Sequence, residues 1–327
     1  MHWLDSVYLR LTTRQPLFAQ GWGELERPLS EVPALLTRSV PTPLRLDFLP
    51  TSPRTDEAFV TSPAPHLDER LGPLHVVRLR AKGPNRARLI VPPSWGDEGF
   101  WMRRHLVDGL RYHGVEVWLF EGAYFGSRRA PGQVKVGLHT VGDFLRMGLA
   151  NVHEARALVV TALELEPRLP VLLAGYSMAG QMSAHAAASL DLEVPVTVMA
   201  PPENASVVFC EGPLSRSVTW SALGDDAVAR LSAVLKRLSV LEQPAPRSAQ
   251  RAVVATRRDG IVPPSSMSAL AHHWGVTPTW LDSGHLGAYA LEAAALRAAM
   301  LRMLEPGAPP RSGGPPTPRR APDTLAR

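Results

Sequence analysis

The chain holds a single cysteine, Cys210, in 327 residues. No intrachain disulfide can form and no cysteine-built zinc site is available, so nothing calls for an oxidising compartment. A run of about 18 uncharged apolar residues is also missing, which excludes a membrane-spanning helix by length. The N-terminal MHWLDSVYLRL carries Asp5 and Arg10 where a secretory leader needs an unbroken apolar stretch. These absences lead to the expectation of a soluble, cytoplasmic protein. Charge of one sign is scarce as well, with 35 Lys and Arg against 30 Asp and Glu. Most of that surplus sits at 306–327, where Arg311, Arg319, Arg320 and Arg327 face only Asp323. The body shows no dense basic stripe, so a nucleic-acid partner is not expected.

What is present is an ordinary globular balance, 45% hydrophobic and 20% charged residues, enough to fill a sizeable core. The tail at 306–327 is rich in proline and glycine and is expected to stay disordered, because it cannot bury enough surface to offset its ordering entropy. A second proline-rich stretch, 41–73, reads as ordered but irregular. In the first eleven residues Trp3, Leu4, Val7, Tyr8 and Leu11 share one helical face, with Asp5, Ser6 and Arg10 opposite. That face fits packing onto the protein's own body better than peripheral membrane contact, because the helix is short and not strongly basic.

From residue 74 strands and helices alternate. Strands are expected at 74–80, 88–91, 115–120, 171–174, 194–199, 252–256 and 277–281. Helices are expected at 100–113, 141–163, 178–190, 265–274 and 286–304. Such alternation predicts an α/β fold, a mostly parallel sheet flanked by helices. Between 201 and 251 the rhythm breaks, with one helix-like stretch at 226–241 and no convincing strand. An excursion of this length suggests a lid over a site.

The chemistry is carried by three turns. Strand 171–174 runs into Gly175-Tyr176-Ser177-Met178-Ala179-Gly180 and then a helix, a nucleophile elbow with alanine where a second glycine is usual. A serine on a sharp strand-to-helix turn needs small neighbours, and the following helix N-terminus points backbone donors at a developing oxyanion. A serine nucleophile needs a base, and the base needs a carboxylate to orient it. Asp259 follows the strand at 252–256 and His285 follows the strand at 277–281. Asp282 is the rival acid, but three residues before His285 it suits the local turn better. The oxyanion donors are expected to be the N–H of Met178 and that of Ser94 or Trp95, since Pro92 and Pro93 have none to give. Trp95, Tyr124, Arg128 and Tyr176 are candidates for contact with substrate. For Arg128 two readings stay open: recognition of an anionic group, or an ion pair with Glu121 or Asp143 that braces its loop.

The order of elbow, lid interval, Asp and His resembles the α/β-hydrolase superfamily. Finer segments are similar to the alpha/beta hydrolase domain-containing protein 18-like family. They are residues 121–128 (EGAYFGSR), 175–180, 212–220 (GPLSRSVTW) and 283–289 (SGHLGAY), with Gly-Trp-Gly at 21–23. The resemblance implies an α/β-hydrolase fold at 74–305 with a helical lid-like insertion at about 202–251, after an N-terminal extension at 1–73 packed on the core. It implies a Ser177, Asp259 and His285 triad without a metal or organic cofactor. The expected function is a serine hydrolase cleaving a carboxylic ester, a lipid ester or another small acyl ester. The alternative is a hydrolase-fold protein that binds a ligand or acts as a scaffold without catalysis.

Overall fold

The computed structural model describes residues 3–12 and 15–305. The tail at 306–327, expected to be disordered, lies outside the described residues, as do the side chains of Tyr8 and Leu11. Nine strands form one sheet: β1 (Leu49–Ser52), β2 (Thr55–Val60), β3 (Leu74–Leu79), β4 (Ala87–Val91), β5 (Val115–Phe120), β6 (Val171–Tyr176), β7 (Val196–Met199), β8 (Arg251–Thr256) and β9 (Thr279–Leu281). Their order is β1-β2-β3-β5-β4-β6-β7-β8-β9. The pairs from β1 to β5 along this order are antiparallel, and all pairs from β5 to β9 are parallel. The fold is thus α/β, with a mostly parallel sheet.

Every residue of β4, β5, β6 and β7 is buried. That explains why these strands read as unbroken apolar runs rather than alternating ones, since helices cover both faces. Two charges interrupt the runs, Arg88 and Glu116, and they stand opposite each other in the β4–β5 register. The guanidinium Nε donates to the Glu116 carboxylate at 2.6 Å, so neither charge is buried alone.

Two expectations are corrected. The stretch 41–73 is not irregular throughout, because it supplies β1 and β2. Its prolines hide the pattern. Pro50 lies on the edge strand, where a missing N–H costs no ladder bond, and β2 is fixed by the buried Asp56 carboxylate, which accepts from Arg78 at 2.7 Å and from Arg80. The expected helix at 286–304 is in fact two, His285–Leu291 and Ala293–Arg302, broken at Glu292.

The helix Val141–Leu165 begins with a reciprocal cap: Thr140 Oγ1 accepts from the N–H of Asp143, and the Asp143 carboxylate accepts from the N–H of Thr140. It packs against the helix Met178–Ser189, and both lie on β6. Between β7 and β8 the chain makes an excursion of short helices, Ser206–Phe209, Trp220–Leu223 and Ala227–Lys236, with no strand. No described helix is long and apolar enough to cross a membrane.

Strand order places the site. The chain passes from β4 to its neighbour β5 on one side, then returns to β6 on the other side of β4. This reversal opens a crevice at the carboxyl ends of β4 and β6, the position where open parallel sheets bind ligands.

Candidate active site

Ser177 follows β6 directly, with φ 58° and ψ −124°. An L-residue reaches this conformation only under constraint. Its N–H donates to Met199 O at 2.8 Å, and its carbonyl accepts from the N–H of Gln181 at 3.1 Å. The turn is so tight that a Cβ on Gly175 would come within 2.2 Å of Ala179 O. Position 175 therefore tolerates only glycine. The alanine at 179 is fully buried.

The structure brings Ser177, His285 and Asp259 together. His285 Nε2 lies 2.9 Å from Ser177 Oγ, and its Nδ1 lies 2.8 Å from Asp259 Oδ2. Asp259 arises from the turn after β8. Its Oδ1 accepts from the N–H groups of Ile261 and Val262 at 2.9 and 2.8 Å, and its Oδ2 accepts from Thr256 Oγ1 at 2.6 Å. Burial raises the pKa of this carboxyl, but the facing imidazole and these donors outweigh it, so the net shift is downward from the ordinary 3.8. Asp259 is therefore an acceptor, which puts the proton of neutral His285 on Nδ1 and leaves the Nε2 lone pair facing the Ser177 hydroxyl. Asp282, the rival acid, points to solvent and pairs with Arg257 at 3.1 Å.

The N–H of Met178 belongs to the first helical residue and has no intrahelical acceptor. Ser94 and Trp95 sit across from it on the loop after β4. Ser94 Oγ donates to Tyr176 O at 3.0 Å, tying that loop to the elbow. Behind the loop, buried Arg103 pairs with Asp97 and donates to Val91 O at 2.9 Å. Tyr176 is buried; its hydroxyl donates to His285 O at 2.6 Å and its ring meets the imidazole edge-on, 5.1 Å between centroids.

Ser177 opens into a cavity of about 1190 Å³, its mouth included. Trp95, Phe144, Met182, Phe209, Leu235 and Leu238 form much of its wall, the last three from the excursion between β7 and β8. Among the described residues no lysine or arginine lines it. Its few polar groups include Gln181 and His185, and burial draws the His185 pKa down to about 4, so this imidazole is neutral in ordinary buffers. Among the described residues no group of three or more His, Cys, Asp or Glu is placed to hold a metal ion.

Two expected substrate contacts are not in the wall. Arg128 is fully buried, donating to both Glu154 oxygens at 2.6 and 3.0 Å and to Glu121 O at 2.7 Å. The bracing reading is the correct one, with Glu154 as partner in place of Glu121 or Asp143. Tyr124 is also buried, and its hydroxyl reaches Asp143 at 3.3 Å. The N-terminal helix is corrected too: its expected outer face is not wholly outside, because Asp5 is fully buried while Trp3 is exposed.

A family model described as alpha/beta hydrolase domain containing 18 matches residues 51–233, more than half of the chain. Similar solved structures include an α/β serine hydrolase without lid from Xanthomonas campestris, 18% identical, TM-score 0.50, covering 79% of this chain and 96% of that one. An acetyl xylan esterase from Paenibacillus sp. R4 is 14% identical, TM-score 0.56, covering 89% and 98%. The acylaminoacyl peptidase of Pyrococcus horikoshii is 12% identical, TM-score 0.55, covering 81% of this chain and 44% of its own length. At such identities the likeness to solved structures is one of fold.

Substitution of Arg128 by Gln strands Glu154 without its partner. It is expected to cost about 3–5 kcal/mol of stability, read as a lowered Tm. The Asp259 carboxyl, held below its ordinary value, contributes stability that is complete above pH 3.8 and lost as pH falls through its folded value. Asp259→Asn is therefore expected to remove this loss of stability on the acid side, read as Tm against pH; an unchanged acid-side profile would contradict the lowered carboxyl.

Proposed function

The chain belongs to the alpha/beta hydrolase domain containing 18 family, and from that premise we propose that it is a serine hydrolase cleaving carboxylic esters with an apolar acyl group. The observation that carries this reading is the hydrogen-bonded line Asp259–His285–Ser177 at the mouth of an apolar cavity. In this reading His285 Nε2 takes the Ser177 proton as Oγ attacks the ester carbonyl. The oxyanion is met by the N–H of Met178 and by that of Ser94 or Trp95. Asp259 holds the imidazole tautomer and stabilises the imidazolium, and His285 then returns the proton to the departing alkoxide. Water, deprotonated by the same His285, then attacks the acyl carbonyl, and His285 returns that proton to Ser177 Oγ as the acyl–Oγ bond breaks. The excursion between β7 and β8 serves as a lid whose apolar side chains contain the acyl chain.

The chemistry and the acyl preference are tested separately. A fluorophosphonate probe is expected to label wild type, not Ser177→Ala, and to label Asp282→Asn as fast as wild type. Asp259→Asn should lower kcat by about ten thousandfold. A folded wild type that takes no label would favour the non-catalytic alternative. For the acyl pocket the informative site is Gly148, a wall residue whose added Cβ would meet nothing within 4 Å. Gly148→Leu should fit without strain and fill the cavity, lowering kcat/KM for long-chain p-nitrophenyl esters about tenfold or more while sparing acetate. Equal loss on both lengths would place the acyl chain elsewhere.

A further inference from the structure

The N-terminal helix Trp3–Thr12 packs on the helix His285–Leu291, and at their contact stands a carboxylate. Asp5 is fully buried. Its Oδ2 accepts from the N–H of Gly260 at 2.9 Å and of His285 at 3.0 Å, and its Oδ1 accepts from the N–H of Leu286 at 2.8 Å. A buried carboxylate is costly unless its oxygens meet donors, and here three backbone donors meet it. Two of them open a helix and have no intrahelical acceptor.

What these donors have in common is their place beside the triad. Gly260 follows the acid Asp259, His285 is the base, and Leu286 follows it. The imidazole must reach partners on two loops at once, 2.8 Å to Asp259 and 2.9 Å to Ser177. Its backbone is correspondingly fixed at both ends by side chains from outside its own loop. Asp5 takes its N–H, and Tyr176 donates to its carbonyl at 2.6 Å.

We propose that Asp5 is a positioning residue for His285, clamping the acid loop to the base loop and adding a negative charge that favours the imidazolium formed when Ser177 loses its proton. This rests on the serine-hydrolase reading above. Among the described residues the titratable groups in contact with His285 are Asp259 on its Nδ1, Asp5 on its N–H and Tyr176 on its carbonyl and ring; Tyr289 and Glu292 lie next, close enough to act on Tyr176. Asp5 and Asp259 contribute the buried negative charge, one from the N-terminal helix and the other from the turn after β8.

The test uses the full chain. Asp5→Asn keeps the shape, removes the charge and turns one acceptor into a donor, so it cannot serve all three N–H groups. Its fluorophosphonate labelling rate should fall about tenfold or more, with unchanged far-UV circular dichroism. Loss of a nearby negative charge disfavours the imidazolium, so the His285 titration midpoint, followed by NMR of labelled histidine, should fall by about half to one unit. Wild-type labelling and midpoint in the variant, or a lowered Tm alone, would overturn the proposal. Asp5→Ser, which keeps one oxygen acceptor without the charge, is the second variant should Asp5→Asn fail to fold. If neither folds, Asp5 serves the fold only and the proposal falls. A folded wild type that takes no label defeats the hydrolase reading instead, and the NMR titration, which needs no turnover, still decides the role of Asp5.

Discussion

The site hangs from the backbone of one residue, Ser177, held at φ 58° and ψ −124°. Such a conformation costs of order 1–3 kcal/mol and persists only where its surroundings over-determine it. Here they do. The strand before it is buried along its whole length, its N–H is taken by Met199 O from the neighbouring strand, and the missing Cβ of Gly175 lets the chain fold back at Ala179. The strain is what lifts the hydroxyl clear of the sheet and turns the next N–H, that of Met178, toward the same space. Relaxing it would lose the exposure of the Ser177 hydroxyl and the direction of the Met178 N–H together.

That fixed point would be useless if the other loops drifted. Side-chain hydrogen bonds to backbone tie them to it. Ser94 Oγ fastens the loop after β4 to Tyr176 O, Tyr176 in turn holds His285 O, and the Tyr289 hydroxyl reaches Met102 O on the helix after that loop. Each link joins segments that are distant in sequence, so the geometry depends on the whole sheet being formed first. The apolar wall beside Ser177 strengthens the arrangement, because the fewer waters share the site, the more each fixed dipole is worth.

The parts of this site legible in the sequence are the parts with local causes. Ser177, Asp259 and His285 each follow a strand in a turn of small or polar residues, and the strand's apolar run announces them. The Val141–Leu165 helix, expected at 141–163, was readable for the same reason, from the helical spacing of its apolar residues, whereas its Thr140–Asp143 cap is visible only in the structure. What resisted reading depends on partners far away. The strands β1 and β2 were masked by prolines and are held by Asp56 reaching Arg78 and Arg80. Asp5 looked like the solvent side of an amphipathic helix, because no periodicity can reveal that three N–H groups 255 to 281 residues later await an acceptor. For Arg128 recognition of a ligand and bracing of its loop both stayed open, because that loop leaves the end of the sheet where Ser177 lies. The arginine's true partner, Glu154, lies on another element.

Arg128 is one case of a wider pattern among the buried arginines. Arg88, Arg103, Arg111, Arg128 and Arg156 are all buried, and each donates to at least one backbone carbonyl: Ala162, Val91, Arg80, Glu121 and Ser39 respectively. Loop and helix-end carbonyls inside a protein need donors that the sheet does not provide. A guanidinium, with five donors in a planar fork, can serve a carbonyl and a carboxylate at once where a lysine could serve only by swinging. These arginines are therefore consumed by the architecture and are not free to meet a ligand. With these five turned inward to loops and none of the described lysines or arginines in the cavity wall, the space beside Ser177 is bounded mostly by apolar side chains, and the buried positive charge is spent on holding the loops around it.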